Sequence, residues 1–96
     1  MQVLALYDQL WSLRPTPIVA LNRAVAVAEV HGPAVALAAL EYVELPGYHL
    51  LPATRADLLV RLGRRKEAAA AYDEAISLAG NQTEHTFLQT RRAGLG

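Results

Sequence analysis

With 96 residues, 53% of them apolar and 19% charged, the chain has room for a single small core and is too apolar for a disordered tail. Nine basic residues balance nine acidic ones, so the phosphate-neutralising term that dominates nucleic-acid binding is missing, as is the cation excess that holds a protein to an anionic membrane surface. The absence of cysteine excludes disulfides, thiolate metal sites and thiol catalysis and fits a reducing cytoplasm; no apolar run reaches the roughly 18 residues of a membrane span, and the start Met1-Gln2-Val3-Leu4 lacks the basic region of a signal peptide.

The apolar weight lies in Ala and Leu, which are strong helix formers. Val3, Leu6, Tyr7, Leu10 and Leu13 recur at three- and four-residue steps, with Trp11 beside them, and predict an apolar helix face. Tyr7 and Trp11 read as core residues rather than as a ligand stack. Arg14-Pro15-Thr16-Pro17 ends this helix, since each proline disfavours helix at the residue before it. Thr16 is a good N-cap and Pro17 suits the first helical position. The second helix is predicted from Pro17 to about Val30, with Ile18, Leu21, Val25 and Ala28 as its stripe. His31-Gly32-Pro33 is the break, Gly32 taking a left-handed C-terminal conformation and Pro33 opening a third helix to about Val43. Leu45-Pro46-Gly47-Tyr48 is a turn. A fourth helix runs from about Leu51 to Leu62 and carries Leu58, Leu59 and Leu62, with Gly63 ending it. The fifth, Arg64 to Ala79, places Ala68, Ala71, Tyr72, Ala75 and Ile76 on one face. Gly80-Asn81 closes it, and Asn81 with Glu84 reads as a capping-box-like start to a sixth helix that carries Phe87 and Leu88 and frays at Gly94-Leu95-Gly96. No segment reads as a strand.

Short helices joined by tight turns call for a repeat search. A shift of 32 residues pairs Arg23-Ala24 with Arg55-Ala56, Ala36 with Ala68, Leu40 with Tyr72 and Val43 with Ala75, while Gly32 and Gly63 miss by one residue. The run from Leu62 to Leu78 resembles the second half of a tetratricopeptide (TPR) repeat, in which a glycine turn is followed by Glu-Ala (here Glu67-Ala68), an aromatic four residues on (Tyr72) and a further Ala (Ala75). The small residues let the two helices of a hairpin close up, and the aromatic fills the gap toward the next hairpin. Both copies depart from the TPR pattern in the same way, placing Arg23 and Arg55 where an apolar residue usually stands. Two readings of these arginines stay open: structural or solvated charges, or a repeated arginine marking a groove that recognises an anionic group or backbone carbonyls.

Other polar residues form no chemical constellation. His31, His49 and His85 lack metal-ligand spacing, no serine sits in a nucleophile motif, and Glu41, Asp73 and Glu74 read as solvated carboxylates. Arg61, Arg64, Arg65 and Lys66 make a basic cluster at a helix–helix turn, without interleaved aromatics. Asn81-Gln82-Thr83 matches the glycosylation pattern without a secretion signal to give it meaning. The expectation is no enzyme, no cofactor and no metal.

The stretch from Thr16 to Glu29, Thr-Pro-Ile-Val-Ala-Leu-Asn-Arg-Ala-Val-Ala-Val-Ala-Glu, resembles a signature of bacterial extracytoplasmic-function (ECF) RNA polymerase sigma factors, of the sigma-70 family, that carry a long C-terminal TPR-like extension. Gly47 through Leu59, Leu62-Gly63-Arg64, Asn81 through Glu84, Phe87-Leu88, Arg91 and the early Leu6-Tyr7-Asp8-Gln9-Leu10 continue the likeness, so it covers nearly the whole chain. It corresponds to the last part of that extension, which makes Met1 the expected start of a fragment of a longer protein. The resemblance implies a cytoplasmic parent that directs polymerase to promoters, and a regulatory domain able to stand in for a separate anti-sigma protein. It implies DNA contact only through upstream regions that these residues do not contain.

The expected architecture is therefore all-α, a right-handed TPR-like helical-hairpin array of about six helices in a single domain. Residues 1–14 are the remnant helix of a preceding unit, 17–43 the first hairpin, 50–79 the second and 82–93 a capping helix. The expected function is protein recognition that modulates transcription initiation, the partner being upstream sigma regions of the same chain, RNA polymerase or another regulator, with no membrane. The alternative is a freestanding TPR-like adaptor unrelated to transcription. Groove candidates are Asn22, Arg23, Arg55, Asp57 and Arg61. Two hairpins are fewer than the three units normally needed for stability, so self-association into a homodimer through Val3, Leu6 and Leu10 is also expected.

Overall fold

The computed structural model describes residues 3–95 apart from 14 and 15, with side chains described outside 11–13. The described residues are all-α, with six helices and no strand: α1 Val3–Leu13, α2 Pro17–His31, α3 Pro33–Leu40, α4 Leu50–Arg61, α5 Arg65–Leu78 and α6 Gln82–Ala93. They form helical hairpins in two compact units, one reaching Leu45 and the other starting at Pro46. The expected places of the Trp11 and Leu13 side chains, and the Arg14-Pro15 break, lie outside the described residues.

In the first unit α2 packs against both α1 and α3. Thr16 caps α2 as its sequence suggests: its backbone is extended and its Oγ1 accepts a hydrogen bond from the Val19 N–H at 3.2 Å, with Pro17 at the first turn. The buried stripe of α2 is Leu21, Ala24, Val27 and Ala28, joined by Ala26. Ile18 and Val25, expected on that stripe, are instead exposed, whereas Val27 is buried together with Ala24, Ala26 and Ala28. Gly32 alone separates α2 from α3. Its φ of 91° is positive as expected, but its ψ of 166° makes it an extended link rather than a left-handed cap. Its N–H bonds back to the Ala28 carbonyl and its own carbonyl accepts from Ala36, so one residue ends one helix and starts the next. Beyond Leu40 the predicted helix changes character: Glu41, Tyr42 and Val43 donate to the carbonyls three residues back, the tighter bonding that commonly winds down a helix end.

In the second unit α5 packs against α4 and α6. α4 ends in a two-bond glycine cap: the Arg64 N–H reaches the Leu59 carbonyl at 2.9 Å and the Gly63 N–H the Val60 carbonyl at 3.0 Å, with Gly63 at φ 76°. The predicted face of α5 is the observed one, with Ala68, Ala71, Tyr72 and Ala75 buried and Ile76 half-buried. Asn81 caps α6, its Oδ1 accepting from the Glu84 N–H at 2.9 Å. The Glu84 carboxylate returns to the Gly80 N–H at 3.0 Å, one residue earlier than in the usual reciprocal box.

The 32-residue repeat reappears in burial. Ala24 and Ala56, Ala36 and Ala68, Leu40 and Tyr72, and Val43 and Ala75 are buried at every position. The register read from residue identities is thus the register of the two hairpin cores. The one-residue glycine offset matches the two different turns, a single link at Gly32 and a full cap at Gly63.

Candidate functional site

The two repeated arginines are both ion-paired, to different sides. Arg23 on α2 donates through Nε to the Asp8 carboxylate on the preceding helix α1, the two side chains being 37% and 50% exposed. Arg55 on α4 faces Glu74 on the following helix α5, with a looser 3.9 Å separation. The shared arginine therefore has no shared partner geometry.

Asp57 and Arg61 are brought together, one helical turn apart on α4. Arg61 Nε lies 3.3 Å from Asp57 Oδ2, and Arg91 Nη2 on α6 donates to Asp57 Oδ1 at 3.1 Å. The carboxylate is thus clamped by two guanidiniums, one on each oxygen. Arg55, two residues before Asp57, projects from a different side of the helix. Arg91, which was not among the groove candidates, belongs to the same cluster as Asp57. Its guanidinium is held above the usual arginine range, chiefly by a hydrogen bond to the Tyr72 side chain and further by the Asp57 charge, and it sits 5.6 Å from the centre of the Phe87 ring. Arg92 pairs with Asp73 on α5 at 2.9 Å, which holds the Asp73 carboxyl below its usual range and the Arg92 guanidinium above its own.

Three surface depressions accompany these charges. In the first unit an open groove of about 410 Å³ runs between α1 and α2, lined by Val3, Leu4, Tyr7, Asn22, Val25, Ala26, Glu29 and Val30. Asn22 is the groove candidate that lines it, and Tyr7, expected in the core, is a half-buried wall residue. Val3, Val25 and Val30 are exposed, so the walls are apolar and open. Arg23 lines a smaller depression of about 250 Å³ with Ala20, Ala39, Tyr42 and Val43. In the second unit a groove of about 480 Å³ lies between the start of α4 and α6, walled by Leu50, Ala53, Phe87 and Leu88, with the His49–Glu84 pair (3.5 Å) on its lining. Arg55, Asp57 and Arg61 line none of these three. The apolar grooves were missed because their residues are neighbours only across helices; the available signal was Val30, an apolar residue outside the stripe predicted for α2.

Among the described residues no cluster of three or more His, Cys, Asp or Glu side chains has metal-binding geometry. No helix among them is long and apolar enough to cross a membrane.

The chain is 45% identical over 86 residues to an uncharacterized protein of Rhizobium meliloti (strain 1021). The match covers 88% of this chain and 20% of the relative, so the chain spans about a fifth of the length of the curated relative it matches. No protein-family model matches the chain, and no solved structure does.

Proposed function

We propose that this chain is a protein-interaction domain belonging to the C-terminal TPR-like extension of an ECF sigma factor, where it modulates transcription initiation by the parent protein in the cytoplasm. The observation that carries the interaction reading is the α1–α2 groove: apolar walls of Val3, Val25 and Val30 left open to solvent, with Asn22 and Glu29 as polar groups along it. That combination suits an amphipathic partner helix, whose apolar stripe fills the groove while its polar side meets the rim. The signature from Thr16 to Glu29 supports the sigma-factor assignment, and it lies on α2, the helix that forms one wall. The match to one fifth of a longer relative accords with a role as part of a larger protein. On this reading the occupant is a helix of the sigma-type regions of the same gene product, no catalytic chemistry is involved, and DNA is contacted only by those other regions.

The test is a pull-down of this chain against those separately produced sigma-type regions, with RNA polymerase core as a second bait. Saturable binding to either that is lost in Val25→Glu, with helicity unchanged by circular dichroism, is the expected result. A gene encoding no sigma-type regions, or a folded chain that binds neither bait, overturns the assignment. The matched burial of the 32-residue repeat favours one second reading, a freestanding TPR-like adaptor, which the gene's own content distinguishes. Self-association through Val3, Leu6 and Leu10, all exposed on α1, is the competing use of the same helix; co-precipitation of tagged with untagged chain detects it.

A further inference from the structure

The second unit is held together in two different ways. α4 and α5 share a buried seam that includes Leu58, Leu59, Ala68 and Tyr72. α6 buries Leu88 and no other residue. Two further attachments are charged and lie at the surface, Arg91 to Asp57 on α4 and Arg92 to Asp73 on α5, while Glu84 stands 3.5 Å from the His49 ring near the first turn. The charge pairs thus grip the last turn of the helix while one leucine holds its middle.

α6 also closes its own ends. Asn81 and Glu84 satisfy backbone donors at its start, and Arg91 and Arg92 sit in its last turn, where cations complement the helix dipole. It therefore keeps its caps when it leaves the hairpin. The link behind it is short, with Ala79 extended and Gly80 tied to Glu84 rather than to α5. We propose that α6 is a charge-latched cap. It swings from the α4–α5 hairpin about residues 79–81, and rising ionic strength shifts it toward the open position. Opening breaks the Arg91 pairing with Asp57 and uncovers the seat of Leu88. The device rests on the geometry of this unit alone and is independent of the sigma-factor assignment.

Hydrogen exchange of the whole chain, followed by mass spectrometry, tests this. Raising salt from about 20 mM to about 500 mM shortens the Debye length from about 20 Å to about 4 Å, which screens exposed pairs and leaves buried apolar contacts in place. The amides of residues 86–93 are expected to exchange roughly three-fold faster or more at high salt, with those inside α4 and α5 unchanged. The double variant Asp57→Asn with Asp73→Asn exchanges fast in α6 at both salt levels, whereas Asp57→Glu keeps the salt response. The latch is overturned if α6 exchanges together with α4 and α5 at both salt levels, or if its protection does not respond to salt in the unmodified chain. If the double variant does not fold, the salt series on the unmodified chain decides alone.

Discussion

Arg91 reaches across to Asp57 on α4 and lies against the Phe87 ring of its own helix. Arg55 meets only a long, exposed pairing with Glu74. The two arginines are therefore not equivalent in energy, although Arg55 is the one that repeats in the sequence. Discounted for solvent screening, Arg91→Gln is expected to cost up to about 1 kcal/mol, and Arg91→Lys restores only part of it, because an ammonium lacks the planar guanidinium that meets the carboxylate and lies by the Phe87 ring. Arg55→Gln is expected to lie at the zero end of the same range, and urea unfolding of the three variants checks the order. Gly63 is a second sensitive residue. At φ 76° any side chain is strained, although nothing lies within 4 Å of where a Cβ would stand. Gly63→Ala should therefore cost about 1–2 kcal/mol through backbone conformation alone, read as a lower urea midpoint with an unchanged slope. Asp73 supplies a pH dependence with a definite sign. Its folded pKa lies below the unfolded 3.8, so the pairing with Arg92 contributes above that value and is lost as pH falls through the lowered one. Asp73→Asn should lower stability slightly near neutral pH and flatten the acid limb below about pH 4 by the same amount.

The helices themselves were legible because prolines and glycines punctuate the chain. Pro17 and Pro33 open α2 and α3, and Gly63 closes α4. The 32-residue repeat was legible for a related reason: Ala56, Ala68 and Ala75 are fully buried, so each must stay small for α4 and α5 to approach, and small residues at fixed spacing are visible in a string of letters. Ala75→Leu is accordingly expected to cost about 1–3 kcal/mol by overpacking, measurable as a lower thermal midpoint. The end of α3 was not legible, since three-residue back-bonding at Glu41 to Val43 carries no distinctive residue. Nor was the latch on α6: Asp57 and Arg91 are 34 residues apart, and Asp73 and Arg92 are 19 apart, separations that no helical period connects. Leu88 alone buries about 1.5–3 kcal/mol of apolar contact, little for a whole helix, so the caps decide whether α6 persists as a helix when undocked. Asn81→Ala removes the Oδ1 acceptor for the Glu84 N–H and should cost about 1 kcal/mol. The loss should appear as faster exchange within the first turns of α6 rather than across α4 and α5.

The whole molecule carries no net charge, and the arrangement of its charges matters more than their sum. Most described cations are committed to nearby carboxylates: Arg23 to Asp8, Arg61 and Arg91 to Asp57, Arg64 to both oxygens of Glu67, and Arg92 to Asp73. The basic cluster read from the sequence at the α4–α5 turn is thereby reduced to Arg65 and Lys66 as charges without an ion-pair partner among the described residues. Two such cations release few counterions from a duplex, and binding driven by phosphate contacts falls steeply with salt as the number of contacts is lost. Affinity of this chain for a random DNA duplex at physiological salt is accordingly expected to be weaker than about 100 μM, the upper end of the usual non-specific range. An electrophoretic mobility series checks this. A saturable low-micromolar shift, abolished by Arg65→Ala with Lys66→Ala, would show that these two residues form a nucleic-acid contact and would remove the reason for assigning promoter recognition to other regions of a longer protein. No shift, with Val25→Glu abolishing capture by sigma-type regions, would locate the working surface of the molecule on the apolar groove of α1 and α2 instead of on its charges.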